Sequence, residues 1–98
     1  MKAKLLVRQR VEVRASAFAE LVIWQLHEPL AGSAHSFKYR LAYVVGGTCV
    51  LRYDNEAGKG DHRHWDEQES RYRFKAPDQL MADFFEDIQR YNDEHPHD

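Results

Sequence analysis

The chain has 98 residues, of which 43% are hydrophobic and 31% are charged, and its formal net charge is −2. This length predicts one domain covering residues 1–98, and the composition excludes an intrinsically disordered chain. Its apolar runs are much shorter than the roughly 20 residues of a membrane helix, and the first run ends at Arg8, too early for a signal peptide. We therefore expect a cytoplasmic protein that has no membrane partner.

Charge is distributed unevenly along the chain. Residues 1–75 contain 13 Lys or Arg against 9 Asp or Glu, a net charge of +4, whereas residues 76–98 contain one Arg against 7 acidic residues, a net charge of −6. A basic body suits a polyanion such as nucleic acid. The acidic end is typical of a solvated helix face, and it also offers a docking surface to a basic partner, with Glu86 and Asp87 as contacts.

Two strands are predicted in the first 26 residues. From Leu5 onward, apolar and polar residues alternate, as in a half-buried strand, and this pattern places Arg8, Arg10 and Arg14 on one face. Residues 18–26 (FAELVIWQL) are apolar on both faces. This second run predicts a central strand that is covered on both sides.

A β-hairpin around Gly46-Gly47 is the clearest structural signal in the chain. Residues 37–45 alternate strictly, and the chain returns as a partner strand after the two-residue glycine turn. In the register that this turn sets, Arg40 lies opposite Tyr53 and Lys38 lies close to Asn55. The hairpin therefore brings Lys38 and Arg40 to the segment that follows Tyr53.

The last quarter of the chain predicts one strand and one helix. Residues 65–70 are interpreted as a polar connection, and residues 71–75 as the last strand. Pro77 suits a first helical turn. Helical spacing predicts an apolar stripe that consists of Leu80, Met81, Phe84, Phe85, Ile88 and Tyr91. The opposite side of the helix carries Asp83, Glu86 and Asp87. We therefore expect an α+β fold, an antiparallel sheet of about five strands with one C-terminal helix packed on a face.

Functional residues concentrate in residues 53–64 (YDNEAGKGDHRH). If this segment is extended, His62 and His64 point to the same side and Arg63 to the other. Two imidazoles on one side suit phosphodiester cleavage, in which one takes a proton from a ribose 2′-hydroxyl and the other protonates the leaving 5′-oxygen. Lys59 would stabilise the charge on phosphorus, and Asp61 would orient an imidazole. The predicted catalytic residues are therefore His62, His64, Lys59 and Asp61.

Further side chains are expected to bind the substrate. Basic side chains contribute charge, the phenol ring of Tyr53 suits base stacking, and His35 lies at the rim of the hairpin. The predicted substrate-binding residues are Lys38, Arg40, Tyr53, Asn55, Arg63 and His35.

Two other interpretations fit the same residues. The first alternative is a binding module that holds nucleic acid or a protein partner without chemistry, using Arg8, Arg10 and Arg14. The second is a metal-dependent nuclease or hydrolase, because a His-x-His pair on a strand can reach one divalent ion. We expect no metal and no cofactor.

Several segments together resemble a known family. The chain resembles TumE-type toxins of bacterial toxin–antitoxin systems. The resemblance lies in the segments IWQL (23–26), FKYR (37–40), YDNE (53–56), GKGDHRH (58–64) and YRF (72–74), and in a closing helix that contains Phe84-Phe85. The resemblance implies a type II toxin that cleaves RNA and is paired with an antitoxin carrying a helix-turn-helix DNA-binding domain. Together with the histidine pair, it favours a metal-independent endoribonuclease. A homo-oligomer is compatible with the sequence.

Overall fold

The computed structural model describes residues 3–96, which form one six-stranded antiparallel sheet and one α-helix. Strands that are neighbours in the chain are also neighbours in the sheet, so the sheet is a meander. This arrangement confirms the α+β class with a helix after the sheet. The elements are β1 (Lys4–Arg14), β2 (Ala17–Gln25), β3 (Phe37–Val45), β4 (Thr48–Glu56), β5 (Gly60–Trp65), β6 (Gln68–Arg71) and α1 (Pro77–Glu94).

The sheet has one strand more than the sequence predicts. The supposed polar connection contains a two-residue turn at Asp66-Glu67, and Asp66 adopts a φ of 53°, a left-handed conformation that Asp tolerates better than most residues. Strand β6 is exposed along its whole length and has no apolar alternation to reveal it. Of the strand predicted over residues 71–75, only Arg71 belongs to β6, although Tyr72 and Phe74 still pack against the core.

The core lies between α1 and one face of the sheet, here called the covered face. Helix α1 buries Leu80, Phe84, Ile88 and Tyr91, and the strands bury alternate residues on the same side, among them Leu21, Ile23, Leu41, Tyr43, Leu51 and Tyr53. Apolar residues alternate along each strand and recur three and four residues apart along the helix, so the sheet and the helix each have one apolar side. Packing these two sides together buries both of them.

The opposite side of the sheet, here called the open face, corrects the prediction for β2. Phe18, Val22 and Trp24 are only partly buried there, although the apolar run had indicated a strand covered on both sides. The open face carries the side chains that alternate with the core positions, including Val22, Trp24, Lys38, Arg40, Arg52, Asp54, His62, His64 and Glu69.

Two positions of α1 differ from the predicted stripe. Phe85 is 39% exposed, whereas Asp87, expected on the solvated side, is 8% exposed and faces the sheet. Asp87 falls at helical spacing between Phe84 and Tyr91, so it shares their side of the helix. It binds Arg63 and Tyr53. Asp87 is therefore not available as an exposed docking contact.

Bulges change the predicted facing of two strands. In β1 an irregularity between Glu12 and Arg14 separates Arg14 from Arg8 and Arg10, so the three arginines do not share a face. The Arg14 guanidinium instead donates hydrogen bonds to the carbonyls of Asn92 (2.9 Å) and His95 (2.7 Å) at the C-terminal end of α1. A cation suits this end, where carbonyls lack helical partners and the helix dipole is negative.

The glycine hairpin between β3 and β4 is confirmed, but its register slips by one residue. Gly46 and Gly47 have φ angles of 56° and 82°, as a type I′ turn requires. An irregularity between Tyr43 and Val44 then pairs Arg40 with Asp54 and not with Tyr53. Because a one-residue slip reverses the facing of a strand, this bulge decides that Arg52 and Asp54 lie on the open face.

Candidate functional site

The segment at residues 53–64 is a β-hairpin. Strand β4 runs through Glu56, residues 57–59 form the turn, and β5 begins at Gly60. Because side chains alternate along β5, His62 and His64 lie on the open face, whereas Asp61 and Arg63 lie on the covered face. The predicted side-by-side placement of the two histidines on an extended segment is thus observed.

His64 sits among three charged side chains. Its Nε2 atom is 3.1 Å from Nη2 of Arg52, 3.2 Å from Oε1 of Glu69 and 3.7 Å from Oδ1 of Asp54. In the neutral form, Nε2 accepts a hydrogen bond from Arg52; in the charged form, its N–H faces the carboxylates. Both protonation states of His64 therefore have a partner, as a group that transfers protons requires.

His62 is held more firmly. Its Nε2 atom donates a 2.6 Å hydrogen bond to the backbone carbonyl of Lys59, and its Nδ1 atom lies 3.4 Å from Oε1 of Glu69. A carbonyl can only accept, so Nε2 carries a hydrogen and Nδ1 is the nitrogen left to exchange a proton. The carbonyl bond also serves to shape the turn.

Arg52 and its neighbours complete a small pocket of about 70 Å³ lined by Arg52, Asp54, Glu56, Lys59, His62, His64 and Glu69. Nε of Arg52 lies 3.1 Å from Oδ2 of Asp54, yet it has no hydrogen-bond partner with proper geometry and is buried. A buried donor left unsatisfied is costly and uncommon in folded proteins. The Lys59 side chain is 70% exposed and pairs loosely with Glu56 at 3.5 Å.

A larger groove of about 400 Å³ adjoins this pocket on the open face. It is lined by Val22, Trp24, Lys38, Tyr39, Arg40, Arg52, Asp54 and Glu56, and shares its last three residues with the small pocket. Its volume falls in the range of sites that bind small ligands, whereas the small pocket alone does not. Arg40 pairs across the strands with Asp54, and the Lys38 ammonium donates to the carbonyl of Asn55.

The covered face uses the other predicted residues internally. Asp61 orients His35 and not His62 or His64: His35 Nε2 is 3.0 Å from both carboxylate oxygens, and the Tyr39 hydroxyl donates to one of them at 3.0 Å. The backbone N–H of Phe37 donates to His35 Nδ1, and the imidazole stacks on Phe74 at 4.0 Å. This cluster fastens the β2–β3 loop to β5.

Three further predicted residues lie in the same covered layer. The Arg63 Nε atom donates to Asp87 at 2.6 Å, and the Tyr53 hydroxyl donates to the same carboxylate oxygen at 2.6 Å. Asn55 is 1% exposed and bonds the backbone of Tyr39 and Phe37. Tyr53, at 2% exposed, and Asn55 therefore cannot contact a ligand on the open face.

Burial and acidic neighbours shift the ionisation of this layer. Burial, then the carboxylate of Asp61, raises the pKa of Tyr39, and burial, then the hydrogen bond to Asp87, raises the pKa of Tyr53. The hydrogen bond to Asp87 also raises the pKa of Arg63. Each of these groups is thereby held in its protonated, hydrogen-donating form.

The sequence interpretation missed Arg52, Glu69 and the groove beside Trp24. Turn length was the available signal: because the turn at residues 57–59 has three residues, residues 52 and 54 share a face with residues 62 and 64. The four-residue strand that supplies Glu69 has no apolar pattern, so its pairing with His64 could not be deduced.

Within residues 3–96, no group of three or more His, Cys, Asp or Glu side chains is arranged to hold a metal ion. The metal-dependent alternative stays a prediction. No helix in residues 3–96 combines the length and the apolar character needed to cross a membrane.

The chain is similar to a known protein family. Residues 2–92 match a protein-family model described as Toxin TumE, which covers both the sheet and nearly all of α1. No curated protein and no solved structure matches the chain.

Proposed function

Because the chain belongs to the TumE toxin family, we propose that it is the toxin of a type II toxin–antitoxin pair and that it cleaves RNA without a metal ion. The toxin role follows from the family, and the chemistry is inferred from the open face. The observation that supports it is the environment of His64, whose Nε2 atom faces a guanidinium on one side and carboxylates on the other.

The proposed reaction is an internal transfer at phosphorus. The 2′-oxygen of a ribose forms a bond to the adjacent phosphorus and gives its proton to one imidazole, while the bond to the 5′-oxygen breaks and that oxygen takes a proton from the other. His64 and the Nδ1 side of His62 are the two groups proposed for these steps. The products are a 2′,3′-cyclic phosphate and a 5′-hydroxyl.

Arg52 and Lys59 are the cations proposed to stabilise the negative charge that develops on phosphorus. Arg52 touches His64 directly, and the exposed ammonium of Lys59 has freedom to turn toward a bound phosphate. Lys38 and Arg40 extend this positive charge across β3. In this proposal Glu69, close to both histidines, balances the charge of whichever imidazole is protonated.

The test compares His64→Ala with His27→Ala in purified protein. His27 is an exposed histidine in the β2–β3 loop, so its variant is a matched control. We expect His64→Ala to slow RNA cleavage by about 100- to 10,000-fold, with unchanged circular dichroism, and His27→Ala to cleave at the wild-type rate. Equal rates for both variants, or cleavage products without cyclic phosphate ends, would falsify the proposed chemistry.

A binding function without catalysis is the second candidate, and the hydrogen bond from His62 to the Lys59 carbonyl favours it. That bond, the Arg52–Asp54 ion pair and the Lys59–Glu56 ion pair give much of the cluster a partner without any substrate. Under this function, toxicity in cells survives the substitution of His64. It is lost when Arg8 and Arg10 on the open face are neutralised.

A toxin of this family implies a cognate antitoxin. We propose that this antitoxin carries a helix-turn-helix DNA-binding domain and that the pair acts on cytoplasmic RNA. Co-expression and co-purification with the protein encoded beside the toxin tests the partner, and light scattering of the purified toxin tests whether it forms a homo-oligomer.

A further inference from the structure

The groove beside Trp24 has no role in the proton transfers. It extends from β2 to β4: Trp24 on β2 pairs with Lys38 on β3, and Val22 pairs with Arg40. Arg52, Asp54 and Glu56 on β4 form its far wall. The groove thus combines an aromatic ring, three cations and two carboxylates on a surface that α1 does not cover.

The exposure of apolar groups in this groove is unusual for its position. Polar residues normally occupy the solvated side of an antiparallel sheet that is covered on one face. Here Val22 and Trp24 occupy that side, and Leu5, which pairs with Trp24 from β1, is 40% exposed. Partly exposed aromatic rings flanked by cations are what proteins use to stack the bases of single-stranded nucleic acids.

The charges in the groove fit a base better than a phosphate. The carboxylates of Asp54 and Glu56 repel a phosphate from the far wall but accept hydrogen bonds from base N–H groups. Lys38 and Arg40 stand beside Trp24 and suit the phosphates that flank the base.

The groove continues into the small pocket through its three shared residues, Arg52, Asp54 and Glu56. Strand β2, which carries Trp24, is three strand spacings from β5, which carries His64, or about 14 Å at roughly 4.8 Å per strand. A ligand that reaches both must therefore be an oligonucleotide lying across the strands.

We propose that Trp24 stacks on an unpaired base of single-stranded RNA and thereby places a phosphate farther along the same RNA strand at His64. This inference rests on the proposed function and defines its substrate class as single-stranded RNA. A duplex does not fit, because its bases stack on one another and present no free ring face to the indole.

Binding is measured with a short 2′-O-methyl RNA oligonucleotide, which cannot be cleaved through its 2′-position, both as a single strand and annealed into a duplex. The variants are Trp24→Ala and Trp24→Phe, with Trp65→Phe as control because Trp65 lies on the covered face near Tyr91. Stacking on one base predicts that Trp24→Ala weakens single-strand binding by about 5- to 150-fold. Trp24→Phe and Trp65→Phe should bind nearly as wild type does.

Three outcomes overturn the inference: unchanged binding by Trp24→Ala, equal affinity for the duplex, or a Trp24→Ala variant that loses only antitoxin binding. Cleavage by the wild-type protein is assayed separately. If wild type cleaves RNA but Trp24→Ala binds normally, the groove assignment is wrong and the proposed function stands. If Trp24→Ala loses binding but wild type cleaves nothing, the groove assignment stands and the catalytic proposal is wrong.

Discussion

The two faces of strand β5 show how one short motif serves two purposes. On the covered face, Asp61 and Arg63 each bind partners that belong to the folded core, the first His35 and Tyr39, the second Asp87. On the open face, His62 and His64 share one carboxylate, Glu69. Alternation along a strand therefore divides a contiguous sequence into side chains that pack into the core and side chains on the face that α1 leaves open.

The comparison also separates two kinds of electrostatic contact. The Arg63–Asp87 contact is short, at 2.6 Å, and both side chains are largely buried. The two side chains are therefore held in one arrangement. Around His64 the contacts range from 3.1 to 3.7 Å and compete for a single nitrogen. We infer that the first kind of contact contributes to stability and that the second does not fix the imidazole on a single partner.

The largest expected effect comes from placing the same substitution on each face. His64→Gln should lower RNA cleavage by about 100-fold or more while leaving the thermal midpoint unchanged, because it removes a proton-transfer group from a solvent-facing cluster. His35→Gln should destabilise the protein by about 1–2 kcal/mol, because it breaks the contact with Asp61, and should leave cleavage close to wild type. Cleavage assays and thermal melts of both variants measure this contrast. A lower melting midpoint for His64→Gln would contradict it.

Removing the carboxylate of Asp87 tests the covered layer alone. Asp87→Ala leaves Arg63 without its partner in a half-buried position. We expect the free energy of unfolding to fall by about 2–3 kcal/mol. This is below the range for fully buried ion pairs, because Arg63 retains some solvent contact. Glu86→Ala, an exposed neighbour on the same helix, should change stability by less than about 0.5 kcal/mol. Urea unfolding distinguishes them, and equal midpoints would contradict a stabilising role for the pair.

Alkaline pH should weaken the covered layer through its tyrosines. The pKa values of Tyr39 and Tyr53 are raised above the ordinary value of about 10. Their contribution to the free energy of unfolding is therefore fully present below pH ~10. Above that pH the unfolded chain releases phenolic protons that the folded chain retains, and unfolding free energy falls by about 1.4 kcal/mol per pH unit for each tyrosine. Denaturation curves across this range should show the slope, and Tyr39→Phe should reduce it.

The smallest effect is expected at the end of α1. Arg14→Met keeps an aliphatic side chain but removes the guanidinium that donates to the carbonyls of Asn92 and His95. The free energy of unfolding should fall by about 0.5–1 kcal/mol. Arg8→Met, on the open face of the same strand, serves as the control and should leave stability unchanged. A larger loss in Arg8→Met than in Arg14→Met would contradict the capping role.

The sequence predicts the elements that obey a simple period. Strand β3, the Gly46-Gly47 turn and α1 follow from alternation, glycine pairing and helical spacing, and all three are present. Bulges do not follow from such patterns: one extra residue after the glycine turn moves Asp54 opposite Arg40, and another moves Arg14 to the covered face. A bulge depends on how two strands fit together, and a period read along one strand does not contain that information.

The candidate site is predictable only in part for the same reason. His62 and His64 are evident as a pair, but residues that contact them come from β4 and β6, whose registers depend on strand pairing. Asp87 shows the opposite limitation. The helical pattern assigns this acidic residue to the solvated side, because its buried partners Arg63 and Tyr53 are not evident from spacing along the helix.

The meander order of the sheet has a consequence for how the molecule folds. Every strand pairs with its neighbour in the chain, so the sheet can form by successive short hairpins, with little entropy lost in closing loops. Helix α1 follows all six strands, and the apolar side of the sheet stays exposed until the helix packs on it. We therefore infer that the hairpins of the histidine face can pair before the core behind them is closed, and that packing of α1 completes the fold.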